Sequence, residues 1–198
     1  MSRRAYPNAR VRILDAAEQV ILREGVGRLS VDTVAVEAGV SKGGLFYHFK
    51  TKEALLAALV TRLAETVTAD VAAAAQSDPD PRGRLLRSYA RHAFDLDEDP
   101  ARRDRLHALV LALVTACADS PAITASARQA NAEAFAAAAA EGVPIAQVLL
   151  VHLALDGLWL GEALGTLELP AAWRGALADL LTELTKRDVS MTQPEEEL

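Results

Sequence analysis

Apolar residues return every three or four positions along almost the whole chain, and nowhere do they alternate with the period of two that a strand requires. In residues 8–23, Ile13, Ala17, Val20 and Ile21 share one helical face, and Gly25 stops the run. Val31, Val34, Ala35 and Ala38 repeat that spacing behind Ser30, a residue type that caps helix N-termini. Gly39 supplies the stop for this short helix. Ser41 then opens another over residues 42–47. Behind Thr51, Leu55, Leu59, Leu63 and Val67 recur every four residues, with Leu56 and Val60 beside them, and predict a long helix to residue 75. The run Ser77-Asp78-Pro79-Asp80-Pro81 breaks the chain. Further helices are predicted over residues 82–95, 101–118, 121–141, 145–164 and 170–187. Pro100, Pro121, Pro144 and Pro170 stand at or just before their starts, where proline is tolerated. Residues 191–198 are acidic and polar and are expected to fray.

The two short helices carry the chemistry. Two helices joined by a tight turn containing glycine form a helix-turn-helix layout. The second helix contains Gly43 and Gly44, each of which costs about 1 kcal/mol relative to alanine inside a helix. A chain that keeps both gains something from the missing side chains, and close approach to a DNA groove is one such gain. Residues 40–52 hold no acid, but they hold Lys42, Lys50 and Lys52 with Tyr47 and His48 between them. Phosphate-facing surfaces use that mixture of donors, and helix starts at Ser41 and Thr51 add backbone N–H groups. The alternative is a solvated basic turn.

On these residues, from Arg10 to Leu56, the chain resembles the tetracycline-repressor (TetR) family of bacterial transcription regulators. The resemblance rests on the first helix, on V-D-T-V-A-V-E-A-G-V-S-K-G-G-L-F-Y-H-F, and on K-T-K-E-A-L-L after it. It implies an all-α, nine-helix fold. A helix-turn-helix DNA-binding domain would occupy residues 1–52, with a connecting helix over 51–75, and a ligand-binding and dimerisation domain residues 53–198. Carried over by position, Ser41, Lys42, Gly43 and Gly44 become the groove-facing start of the recognition helix. Tyr47, His48 and Lys52 become backbone contacts, Ser30 and Thr33 fall where family members touch phosphate, and Leu45 and Phe49 belong to the small core. Phe46 departs from the pattern, because the family often has a tyrosine there and its hydroxyl is missing. The rest of the chain matches only in length and helical character.

A net charge of −6 opposes DNA binding if it is spread evenly. It is not. Residues 1–52 hold nine Lys/Arg against five Asp/Glu, a balance of +4, and the remainder hold twelve against twenty-two, a balance of −10. A positive head and negative body orient a protein on DNA. Arg3, Arg4, Arg10 and Arg12 can add phosphate or minor-groove contacts, although Arg3 and Arg4 read equally well as a solvated tail. Cys117 is the only cysteine, so no intrachain disulfide forms, which fits a reducing cytoplasm. Residues 145–164 are the longest apolar stretch but contain His152, Asp156 and Glu162, and read as a buried helix rather than a membrane span. With no targeting segment, a bacterial cytoplasmic location and no membrane partner are expected.

That helix is apolar nearly all round and should be buried on most sides, one of them against another subunit. Gly157 and Gly161 lie four apart and read as a flat packing patch. The family dimerises through its last two helices. The expected interface is Leu149, His152, Leu153, Asp156, Gly157, Leu160, Gly161 and Leu164 with Leu177, Leu180, Leu181 and Leu184. A homodimer would set two heads on a palindromic double-stranded operator. Family bodies often hold a small-molecule pocket, for which Tyr89, His92, Phe94, His107, Cys117, Phe135, His152 and Trp159 are candidates. Each also reads as core or interface. His152 and Asp156 can pair at i, i+4 but supply only two ligands, so neither metal nor cofactor is expected. The four histidines are scattered singly and no nucleophile–base set is visible, which argues against an enzyme. The expected function is a ligand-responsive, sequence-specific transcriptional regulator, a repressor released by a small-molecule effector. The alternative is a helical small-molecule-binding protein that has lost specific DNA binding.

Overall fold

The computed structural model describes residues 8–95 and 99–187. Those residues form nine α-helices and no strand: α1 (Ala9–Glu24), α2 (Val31–Glu37), α3 (Lys42–His48), α4 (Lys52–Ala75), α5 (Arg84–Asp95), α6 (Pro100–Asp119), α7 (Pro121–Ala140), α8 (Ile145–Ala163) and α9 (Ala171–Lys186). A single 3₁₀ turn, Val26–Arg28, was not anticipated. Arg3, Arg4 and the acidic tail lie outside the described residues.

Local chemistry sets the helix ends. Ser30 Oγ accepts from Thr33 N at 3.1 Å, Ser41 Oγ from Gly44 N at 3.0 Å and Thr51 Oγ1 from Ala54 N at 3.1 Å. Each satisfies an N–H that the helix itself leaves open. Pro100 and Pro121 occupy first turns, where no N–H is needed.

Two apolar cores follow. The first gathers Ile13, Ala17, Val20, Val34, Leu45 and Phe49 from α1–α3 with Leu55, Leu56 and Leu59 of α4. It does not stop at residue 52, because Leu109 and Leu113 of α6 and Ile123 of α7 complete it. The head is therefore seated on the body by shared apolar packing. The second core joins Leu86, Ala90, Val148, Val151, Leu155 and Leu181 from α5, α8 and α9. α8 buries one stripe, including Val148, Val151, Leu155 and Leu158, and leaves its other side bare. Burial on most sides, the sequence expectation, is thus not met within one chain.

The loop before α5 carries a buried ion pair that its Pro/Asp composition hid. The Arg87 and Asp78 side chains are 2% and 5% exposed and bond twice, at 2.9 and 3.0 Å. The Arg82 and Asp80 carbonyls, at 2.6 and 2.7 Å, take further Arg87 donors, so the buried guanidinium is satisfied from several sides. Arg87 holds the Asp78 carboxyl down to about 2. A carboxyl depressed when folded stabilises above its unfolded value and loses that contribution as pH falls. Urea unfolding should therefore show about 2 kcal/mol of stability disappearing between roughly pH 4 and pH 2 on account of this pair. Asp78→Asn at neutral pH, which strands a buried guanidinium, should cost about 3–5 kcal/mol in the same assay.

Candidate nucleic-acid interface

The turn between α2 and α3 is closed by backbone geometry. Gly39 takes φ +62°, and Val40 N reaches back to Ala35 O at 3.0 Å. A glycine in the left-handed region ends a helix in this way without a Cβ clash. Leu45 and Phe49 are buried and fix α3 to the head core. The opposite face of α3 carries Lys42, Gly43, Phe46 and Tyr47, all exposed, with Tyr47 77% so.

The predicted contacts divide by what already holds them. Ser30, Thr33 and Ser41 are engaged in capping, Ser30 Oγ lying 2.7 Å from Thr33 Oγ1. Lys42 Nζ sits 2.8 Å from Asp32 Oδ1, an exposed pair that phosphate can displace. Lys52 donates to the Val26 carbonyl at 3.3 Å, so its ammonium is held along the 3₁₀ turn. The His48 ring is half-buried, edge-on to Tyr47 at 5.1 Å. Arg10 is stacked 5.4 Å from the Phe49 ring centre and so belongs partly to the head's own packing.

The two glycines of α3 differ. A Cβ on Gly44 would lie 3.2 Å from the capping Ser41 Oγ, so the cap favours glycine there. A Cβ on Gly43 would meet nothing within 4 Å. Among the described residues no contact requires glycine at position 43.

Behind the head runs an ionic seam. Arg62 of α4 bonds Asp15 and Glu18 of α1, both at 2.5 Å, and the Leu14 carbonyl at 3.1 Å. Arg105 of α6 places Nε 2.8 Å from Glu18 Oε1, so both oxygens of Glu18 are taken by the body. Arg102 bonds Asp70 at 2.6 Å. These residues rim a crevice of about 420 Å³ between α1, α4 and α6, floored by Leu59, Leu63 and Leu109 and reached by His92.

The proposed pocket residues do not converge on one site. Tyr89, Phe135 and His152 form a ring cluster, Tyr89 stacked on His152 at 4.5 Å and Phe135 edge-on at 4.7 Å. His152 turns its Nδ1 to the Val148 carbonyl at 3.0 Å, and the Tyr89 hydroxyl approaches Asp156 at 3.5 Å. His152 and Asp156 thus keep an electrostatic interaction across one helical turn, while their hydrogen-bond partners are a backbone carbonyl and a phenol. Burial pushes the Tyr89 hydroxyl up and His152 down. Trp159 packs against the same second core as Tyr89 and Phe135, and His107 stands 6.3 Å from it on the side of Glu162, which Arg174 clamps. Phe94 packs against the second core, and Cys117 against the head core.

The expected dimer residues also divide. Leu149, Leu153, Leu160, Leu164 and Leu180 are exposed, with Asp156 and Gly157 among them. His152 and Leu181 are buried within the chain, and Leu177 and Leu184 are half-buried against the second core. Gly161 is closed by its own chain, since a Cβ there would lie 2.8 Å from Leu167 Cβ. Gly157 and Gly175 would meet nothing within 4 Å. Ile145, Leu150 and Trp173 join the exposed apolar face and were missed. Trp173 sits in the first turn of α9, where only an exposed tryptophan hints at a partner.

Comparison with known proteins agrees with this geometry. The description "Bacterial regulatory proteins, tetR family" matches residues 13–59, and "Tetracyclin repressor-like, C-terminal domain" matches residues 83–186. The chain belongs to the TetR family of bacterial regulatory proteins. It is 39% identical over 57 residues to the HTH-type transcriptional regulator TtgR of Pseudomonas putida, covering 29% of this chain and 27% of TtgR. It is 33% identical over 97 residues to the HTH-type transcriptional activator FasR of Mycolicibacterium smegmatis, covering 49% of this chain and 44% of FasR. The matched stretch thus spans less than half the length of either curated relative. A crystal structure of the multidrug binding protein EbrR complexed with imidazole aligns with TM-score 0.71 and 30% identity over 96% of both chains.

Gly43→Ala should raise thermal stability, by a few tenths to about 1 kcal/mol, because the new methyl meets nothing and favours the helix. The same change should weaken DNA binding roughly tenfold by titration, because the methyl stands in the groove contact. Two effects of opposite sign at one position distinguish an external role from an internal one.

Proposed function

We propose that this chain is a sequence-specific, DNA-binding transcriptional regulator that acts as a homodimer and answers a small-molecule effector. The observation that carries the reading is the outward face of α3, where Gly43 has no internal reason and stands between Lys42, Phe46 and Tyr47. The head, residues 1–52, reads DNA; residues 53–198 bind effector and dimerise. Lys42 and Tyr47 face the DNA. Ser30, Thr33 and Ser41 present capped helix starts to phosphate, and His48 and Lys52 add donors at the rim. Two copies join through the exposed side of α8 and α9, which brings two recognition helices to half-sites about 34 Å apart.

The Glu18 seam gives the body a grip on the head. An effector that moves α4 or α6 moves Arg62 or Arg105 and so tilts α1. A ligand shifts the equilibrium only by its differential affinity for the two arrangements, typically about 1–3 kcal/mol. EbrR is described in complexes with imidazole, ethidium and malachite green. For this chain the Tyr89–Phe135–His152 cluster and the crevice beside Arg102 are the places such an organic molecule would enter. Repression follows where the operator overlaps a promoter, with the effector as the releasing signal.

Fluorescence anisotropy against DNA from upstream of its own gene should give binding that a scrambled duplex does not match. That binding should weaken roughly a thousandfold between 50 and 200 mM salt. Equal, weak affinity for every duplex at low salt would return the weight to a ligand-binding protein without DNA reading. Leu153→Arg, at a position 68% exposed in the single chain, should leave the fold intact. It should sediment as a monomer and lose more than tenfold in affinity for DNA.

A further inference from the structure

Phe46, Tyr47 and Trp173 are the exposed large aromatic side chains among the described residues, and two of the three stand on the outward face of α3. Tyr47 carries a hydroxyl that suits phosphate. Phe46 carries none, so on a polar nucleic acid its contribution must be apolar. It stands three residues after Gly43 and four after Lys42, on the same side of the helix. Helical side chains lean toward the N-terminus, so the ring leans toward the turn that holds Gly43 without filling it. The space over Gly43 is empty, since a Cβ there would touch nothing within 4 Å. The exposed ring and the open space at Gly43 thus share the outward face at the start of α3, next to Lys42, whose ammonium meets Asp32.

The major-groove edges of the base pairs offer one apolar group, the 5-methyl of thymine. We infer that Phe46 reads a thymine methyl through the space left by Gly43, and that each half-site contains one thymine recognised in this way. Lys42 then lies beside that base pair, in reach of a guanine edge or of phosphate. The absent hydroxyl at position 46 becomes a selection for a methyl group, not the loss of a contact. This rests on the DNA-binding reading above.

The test replaces each thymine of the footprinted operator singly by deoxyuridine, which removes only the methyl. For the parent protein, one position per half-site should weaken binding about 4-fold, the worth of burying one such carbon, and roughly 15-fold when both half-sites are changed. Phe46→Ala should bind the thymine operator about as weakly as the parent binds the uracil one, and be indifferent to the change. Phe46→Tyr, which keeps the ring, should retain the discrimination. Equal melting temperatures and equal affinity for scrambled DNA verify that the variants are folded. If the parent is indifferent to uracil at every thymine, or if Phe46→Ala still discriminates, the inference is overturned. If the parent prefers no duplex in the salt series, the DNA-binding reading falls first and takes this inference with it.

Discussion

Glu18 stands where the head meets the body, with its side chain only 14% exposed. A carboxylate so placed must be paired, and both partners, Arg62 and Arg105, come from the body, on α4 and α6. Apolar packing runs beside it, with Leu109, Leu113 and Ile123 inside the head core. Glu18 and the shared apolar packing thus tie α1, against which α3 packs, to α4 and α6. In the regulator proposed above, this contact is the route by which a change in their spacing would reach α3. An interface of charges over apolar side chains suits such a joint: the apolar part keeps the parts together, and the charges favour particular settings.

The helices were legible in the sequence because their ends are local events. Ser30, Ser41 and Thr51 cap through bonds that span three residues, and Gly39 stops α2 through its own backbone. What the sequence hid is what packing brings together from afar. Glu18 and Arg105 are 87 residues apart, and no periodicity links them. Asp78 sits in a Pro/Asp run that reads as a simple break, yet it holds a buried arginine. Residue type suggests pocket candidates, but composition cannot say that Tyr89, Phe135 and His152 meet while His107 and Cys117 go elsewhere.

Glycines separate internal from external demands. Gly43 and Gly44 look equivalent in the sequence, as do Gly157 and Gly161. In the structure, Gly44 answers to the Ser41 cap and Gly161 to Leu167, whereas Gly43 and Gly157 answer to nothing in the chain. Each unexplained glycine lies on an exposed face with apolar neighbours: Phe46 and Tyr47 beside the first, Leu153 and Leu160 beside the second. The same physical signature thus marks both faces assigned to partners, one to DNA and one to a second copy.

In the proposed dimer, two copies of α3 enter successive major grooves on one face of a duplex. Guanine N7 methylation interference tests it most directly, since N7 lies in the major groove. The account predicts two symmetric clusters of interfering guanines with centres about 10 base pairs apart. A single cluster, or binding indifferent to N7 methylation throughout the footprint, would contradict it.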